Sequence, residues 1–167
     1  MQKKVLTEQS IYYGDVSMPK NWEIDPTDLA HNILHWNLTD EEFYFSRTFD
    51  KLNCYIKEHI NLKYKLNLIN KETWGDMYSP QKSSAPLLNI DPVDFRNSPD
   101  YVLLYGVKTS DCNVRIYYDD NRRKGRSWDM ELKQNMFIMF PSTNMYYITN
   151  KQKDNLNFIQ TITYEYI

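Results

Sequence analysis

No histidine follows residue 59. The three that exist, His31, His35 and His59, all precede the part of the chain that reads as β-structure. That part therefore lacks the side chain most used for proton transfer near neutral pH and for ligating transition metals. Glycine is also scarce, with 4 in 167 residues, and no GxGxxG, Walker A or GxSxG pattern occurs, which excludes the usual phosphate-cradling loops and nucleophile elbows. The two cysteines, Cys54 and Cys112, form no CxxC pair. This predicts two reduced, mostly buried thiols of an intracellular protein and no disulfide. With no histidine expected near them, neither is a nucleophile candidate. No run of eighteen apolar residues appears, and the opening MQKKVLTEQSIYYGDV has no apolar core. A membrane-spanning helix and a secretory signal peptide are thus not expected. The formal charge is only -2, so any affinity for nucleic acid or anionic lipid must be local.

What is abundant is apolar and aromatic: 41% and 15% of the chain, including 14 tyrosines. That suffices for one core, and the chain reads as a single domain over 1–167. An extended start and two helices occupy 1–61. In EIDPTDLAHNILHWN, Asp25 caps, Pro26 suits the first helical position, and Leu29, Ile33 and Trp36 recur at helical spacing. A second helix is expected from LTDEEF, with Thr39 and Glu42 as a capping box and Phe45, Phe49, Leu52, Ile56 and Ile60 as its apolar stripe.

Residues 62–167 read as β. Leu62, Tyr64, Leu66 and Leu68 alternate with polar residues as a half-wet strand does, and ETWGDMYSPQKSSAP carries turn chemistry. Apolar or alternating runs follow at PLLNI, YVLLYGVKT, NVRIYYDD, SWDMEL, MFIMF, MYYIT and LNFIQTITYEYI. About eight short strands after two helices imply an α+β fold, a small barrel or jelly roll with the helices on one face.

Four of these stretches, in this order, resemble the Fe(II)/2-oxoglutarate-dependent oxygenases of the prolyl-hydroxylase-like, double-stranded β-helix kind, including short members found in marine tailed phages. They are LINKETWGDMYS, NVRIYYDD, LKQNMFIMFPSTNMYYITN and NFIQTITYEY. Phe140-Pro141-Ser142 after an apolar strand is the most specific of them. The abundance of Lys, Asn, Ile and Tyr, whose codons are AT-rich, agrees with a phage origin. The resemblance implies a double-stranded β-helix with Fe(II) held by an HxD or HxE motif and a later histidine, and a basic residue for the keto acid. None of these matches. His31, His35 and His59 lead to Ile33, Asn37 and Asn61, the distal histidine position is Tyr146, and the basic position opening the last strand is Asn157. Tyr146 and Asn157 are accordingly expected to be vestiges of a metal and a keto-acid site, with Tyr146 filling the old metal position.

Other candidates are local. His31 and His35 share a helical face but lack a third ligand, so one is expected at a packing edge and one in solvent. His59 suits a helix C-terminus. In DDNRRKGR, Arg122, Arg123, Lys124 and Arg126 make a basic hairpin loop that reads either as a solvated turn or as a contact for phosphate or an acidic partner. Glu41-Glu42 and Asp119-Asp120 read as exposed pairs without acid–base work. The expected function is a non-catalytic, structural or protein-binding module of a phage particle or its assembly, without Fe(II) or 2-oxoglutarate. The alternatives are a hydroxylase with an atypical site that recruits Tyr146, Asp76 or Asp111, and a polyanion-binding accessory protein. Protein partners are expected, nucleic acid and membrane are not, and the place is the virion or host cytoplasm.

Overall fold

The computed structural model describes residues 2–5, 8–17, 23–39, 47–118 and 125–167. A short strand, β1 (Tyr12–Asp15), precedes two helices, α1 (Pro26–Thr39) and α2 (Arg47–Tyr64). Then come β2 (Leu68–Tyr78), β3 (Lys82–Ser83), β4 (Tyr101–Lys108), β5 (Cys112–Tyr117), β6 (Ser127–Glu131), β7 (Met136–Pro141), β8 (Tyr146–Asn150) and β9 (Asn157–Tyr166). Among the described residues these strands make two antiparallel sheets, a larger one ordered β1-β7-β4-β9-β2 and a smaller one ordered β3-β8-β5-β6. This is the expected α+β double-stranded β-helix: β2 to β9 supply its eight strands, and β1 adds an edge to the larger sheet.

The larger sheet is apolar on both faces because strand side chains alternate and each face has something to bury. Leu103, Tyr105, Phe137, Met139, Ile162 and Tyr164 meet Leu29, Ile33, Leu52, Ile56 and Ile60 of the helices. On the other face Val102, Leu104, Ile138, Phe140 and Ile159 meet Val114, Ile116, Tyr146 and Ile148 of the smaller sheet. Each fully buried aliphatic side chain stabilises the fold by about 1.5–3 kcal/mol, so the two layers hold together without a disulfide. The Tyr164 hydroxyl donates to Asn53 Oδ1 (2.7 Å) and fixes α2 on β9.

α1 begins as its sequence requires. Asp25 Oδ1 accepts from the amides of Thr27 (2.9 Å) and Asp28 (3.3 Å), covering donors that the first turn leaves unpaired. Its far end differs from expectation. Thr39 does not open α2; it closes α1, its hydroxyl donating back to the His35 carbonyl (2.8 Å). Glu42 and Phe45 lie outside the described residues.

The alternation from Leu62 to Leu68 is not a strand from its start. Leu62 and Tyr64 finish α2, and Lys65 at φ 58° ends it while its amide donates to the Asn61 carbonyl (2.8 Å). Leu62 is 69% exposed and Tyr64 46%, so that alternation lies on the wet side of the last helical turn. The stretch read as a turn, Trp74-Gly75-Asp76, instead runs through the middle of β2, opposite Thr161, Gln160 and Ile159. PLLNI contributes one bridge, Leu87 to Tyr146. Cys112 is buried and Cys54 exposed, and both are free. No helix among the described residues is long and apolar enough to cross a membrane.

Candidate functional site

β2 carries the site toward the smaller sheet. Gly75 faces α1, where a Cβ would run into Ile33, so its neighbours Trp74 and Asp76 point the other way, between the sheets. Trp74 Nε1 donates to Asp76 Oδ2 (3.1 Å). Burial raises the Asp76 carboxyl above its ordinary pKa, and the indole hydrogen bond only partly offsets this. Tyr78, two residues on, projects into the same core, and burial together with Asp76 keeps its phenol protonated far above neutral pH.

Tyr146 opens β8 from the opposite side. It is 2% exposed, its ring meets Phe140 edge-on at 5.0 Å, and its backbone exchanges hydrogen bonds with Leu87 (2.9 and 3.0 Å). Its hydroxyl donates to Asn89 Oδ1 (2.9 Å). Burial, with the Asp76 charge second, drives the Tyr146 phenol well above the range in which a tyrosinate forms. Beyond Asn89 a cleft of about 510 Å³ opens between β2, β9 and the loop that follows β3, lined in part by Lys71, Trp74, Asn89, Asp91, Ser98 and Thr163. On its rim Lys71 pairs with Glu165 (2.8 Å) and also donates to the Asn97 carbonyl. Leu88, Val93 and Phe95, in the loop between β3 and β4, are exposed by 47%, 92% and 64%.

Asn157 lies opposite Tyr78 and is completely buried. Its Oδ1 accepts from the Ser110 amide (3.0 Å) and from Gln152 Nε2 (2.6 Å), while its Nδ2 meets no protein acceptor. It therefore ties the turns at one end of the sandwich, whereas Tyr146 bonds to the loop at the other. Sequence reasoning singled out Tyr146, Asn157 and Asp76 but missed Asn89, a residue in no motif that is recognisable only by the strand it meets.

The histidines lie elsewhere. His31 and His35 are both exposed on α1, contrary to the expected packing edge for one of them. His59 stacks on Tyr55 (3.8 Å between ring centroids), and its Nδ1–H donates to the Tyr55 carbonyl (2.9 Å). α2 runs five residues past it, so His59 is held by this local contact rather than by the helix end. Every histidine is thus on a helix, across the larger sheet from the cleft. Of the basic loop only Arg126 is described, and it is exposed; Arg122, Arg123 and Lys124 lie outside the described residues, as do Asp119, Asp120, Glu41 and Glu42.

An Fe(II) site of the facial kind needs two imidazoles and a carboxylate on one metal face. The polar groups near Tyr146 are a neutral phenol, the Asn89 amide and the Asp76 carboxyl, and no group of three or more His, Cys, Asp or Glu converges among the described residues. These residues do not fit that metal.

No family model and no curated protein matches the sequence. Solved structures do match in fold. A prolyl-4-hydroxylase from Pseudomonas putida superposes over 94% of this chain and 85% of its own, with 12% identity and a TM-score of 0.65. The viral collagen prolyl hydroxylase of Paramecium Bursaria Chlorella virus-1, solved with 2OG, superposes over 92% and 94%, with 12% identity and a TM-score of 0.62. A prolyl hydroxylase from Trichoplax adhaerens, solved with a hypoxia inducible factor peptide, covers 93% and 83% at 10% identity, with a TM-score of 0.61. The chain has the double-stranded β-helix fold of these hydroxylases.

Proposed function

We propose that this chain is a non-catalytic protein of the 2-oxoglutarate oxygenase fold that serves as a structural or protein-binding module, in a phage particle or its assembly. One observation carries the reading: where the resemblance puts the distal metal ligand, Tyr146 is buried, protonated and hydrogen-bonded to Asn89. Its hydroxyl is already committed to an amide, and Asn157 at the keto-acid position carries no charge to hold a carboxylate. A fold of this kind outlives its chemistry readily, because the core rests on many alternating strand residues and the iron site on few. The exposed Leu88, Val93 and Phe95 beside the cleft support a protein partner. The phage assignment rests on the resemblance and on composition.

A hydroxylase with an atypical site is the second reading, favoured by the fold likeness to prolyl hydroxylases and by the half-buried Asp76 carboxyl in the interior. Titration with Fe(II) or Mn(II) and 2-oxoglutarate separates the two. The binding-module reading expects no metal-dependent rise in melting temperature and no succinate formed. A saturable rise abolished by Tyr146→Phe or Asp76→Ala would establish the second reading instead. The structural role is checked by mass spectrometry of purified particles, and the partner surface by Val93→Glu combined with Phe95→Glu, which should abolish incorporation while leaving the melting temperature unchanged. A third possibility, polyanion binding through Arg126 and its neighbours, would show as affinity that falls steeply with salt.

A further inference from the structure

The smaller sheet has a second face, turned away from the cleft, and its composition is unlike that of a solvated sheet surface. β5 and β8 alternate strictly: Cys112, Val114, Ile116, Tyr146 and Ile148 are buried inward, so Asn113, Arg115, Tyr117, Tyr147 and Thr149 point out. The register sets Arg115 between Asp129 and Tyr147 in one row. Arg115 Nε and Nη2 donate to the two Asp129 carboxylate oxygens (2.7 and 2.9 Å). Asn113 adds a longer bond to Asp129 Oδ1 (3.4 Å), and these donors hold the Asp129 carboxyl below its ordinary pKa. Tyr117 and Tyr147 meet edge to face at 5.7 Å, both half-buried. Ser83 and Thr149 share a hydroxyl–hydroxyl bond (2.7 Å) at the far side. Together these groups line a concavity of about 490 Å³.

The chemistry of this face selects among occupants. A polyanion is disfavoured because Asp129 lies between the charges of Arg115 and Lys151, leaving the concavity's lining residues with a net charge of only about one. A protein interface core is disfavoured because such cores are depleted of Lys, Asp and Ser, all present here, and this face has no aliphatic anchor. What remains is a pair of aromatic rings inclined at 69°, which offers one ring face, beside a planar, ionised pair and paired hydroxyls, each able to donate and accept. That combination matches a ligand with an apolar C–H face and a rim of hydroxyls.

We propose that the outer face of the smaller sheet binds neutral saccharide, with one ring of the edge-to-face Tyr117–Tyr147 pair packing on the sugar's C–H face and the Arg115–Asp129 pair bonding to adjacent hydroxyls. This inference goes beyond the proposed function and stands whether or not the interior cleft is catalytic, since the two sites share no side chain.

The test is an amide NMR titration of the full chain with a panel of neutral di- to tetrasaccharides of glucose, galactose and N-acetylglucosamine, in parallel with heparin and a proline-rich peptide. Binding by at least one neutral sugar is expected, with saturable shifts confined to β3, β5, β6 and β8. Tyr147→Ala and Arg115→Ala should each weaken it by about tenfold or more, and Arg115→Lys should fail to restore it because a lysine cannot form the two-pronged bond. Glu58→Ala, on the opposite side of the molecule, should leave it unchanged. The mapping on the unmodified chain needs no variant to fold. The proposal is overturned if no sugar shifts these strands at about 10 mM, a concentration that would fill even a millimolar site. It is equally overturned if the shifts map to the interior cleft, if only heparin or the peptide binds this face, or if the Tyr147 and Arg115 variants bind as the parent does.

Discussion

The phenol of Tyr146 and the side-chain carbonyl of Asn89 meet at 2.9 Å and join the start of β8 to the loop that follows β3. Asn89 also lines the cleft, and the bond ties it to the core, so the pair has a measurable structural share. Tyr146→Phe keeps the ring against Phe140 but leaves Asn89 without its donor, which should cost about 1–2 kcal/mol. For a chain of this size that is a fall of several degrees in melting temperature. Asn89→Ala should cost a similar amount, and the double variant little more than either single one, because both remove the same bond. Additive losses in urea or thermal melts would mean that the two side chains act independently.

Two glycines mark where backbones come close, and their substitutions should differ in kind. A Cβ on Gly75 would meet the side chain of Ile33, with Ile33 Cβ at 3.0 Å, so Gly75→Ala should overpack the α1 contact and cost about 1–3 kcal/mol. Combining it with Ile33→Ala should be less damaging than the sum of the two, since the second change removes the nearest obstructing atom, Cγ1, and leaves only Cβ at 3.0 Å. A Cβ on Gly106 would meet the backbone carbonyl of Lys133, with Thr109 Oγ1 at 2.7 Å. A main-chain carbonyl cannot step aside, so Gly106→Ala should fail to yield folded protein with or without Thr109→Ala. Soluble yield and the cooperativity of melting distinguish these outcomes.

Deleting residues 157–167 should abolish folding. β9 is flanked by β4 and β2 in the larger sheet, so its loss would unpair both, and removing Ile159, Ile162 and Tyr164 would uncover the core on both sides of β4, around Leu103 and Leu104. A truncated chain that still melted cooperatively would contradict this placement.

The strands from β4 onward were legible in the sequence because they are either continuous apolar runs buried on both faces, as β4 and β7 are, or alternate against the core, as β5 and β8 do with Val114, Ile116 and Ile148. α1 was legible from Asp25 and its capping bonds. The errors have physical causes. Leu62 and Tyr64 alternate with lysines like a strand, but on a helix whose apolar stripe ends at Ile60 they fall on the wet side. Gly75 and Asp76 read as turn residues, yet the glycine is there for the close approach of α1 and the aspartate for the interior. Of the site, Tyr146 could be picked out by its offset from Pro141, whereas Asn89 could not, because its meaning comes from a contact 57 positions away in sequence.

Asp76 gives the pH test its sign. Burial raises its folded-state pKa above the ordinary 3.8, more than the Trp74 hydrogen bond lowers it. The native state therefore favours the protonated acid. Its contribution to stability is fully present below about pH 3.8, the unfolded value, and is lost as pH rises through the folded value. At pH 7 the ionised carboxylate destabilises the fold. Asp76→Asn keeps an oxygen for the Trp74 indole and removes the charge, so the variant should melt above the parent at neutral pH, and the gain should vanish as pH falls below the ordinary carboxylate range. Melting temperatures of both proteins from pH 3 to pH 8 check this, and a variant no more stable than the parent at pH 7 would show that Asp76 is paid for by an interaction other than the Trp74 bond. Should the gain appear, a carboxylate is being kept between the sheets at a cost to stability, as functional groups often are.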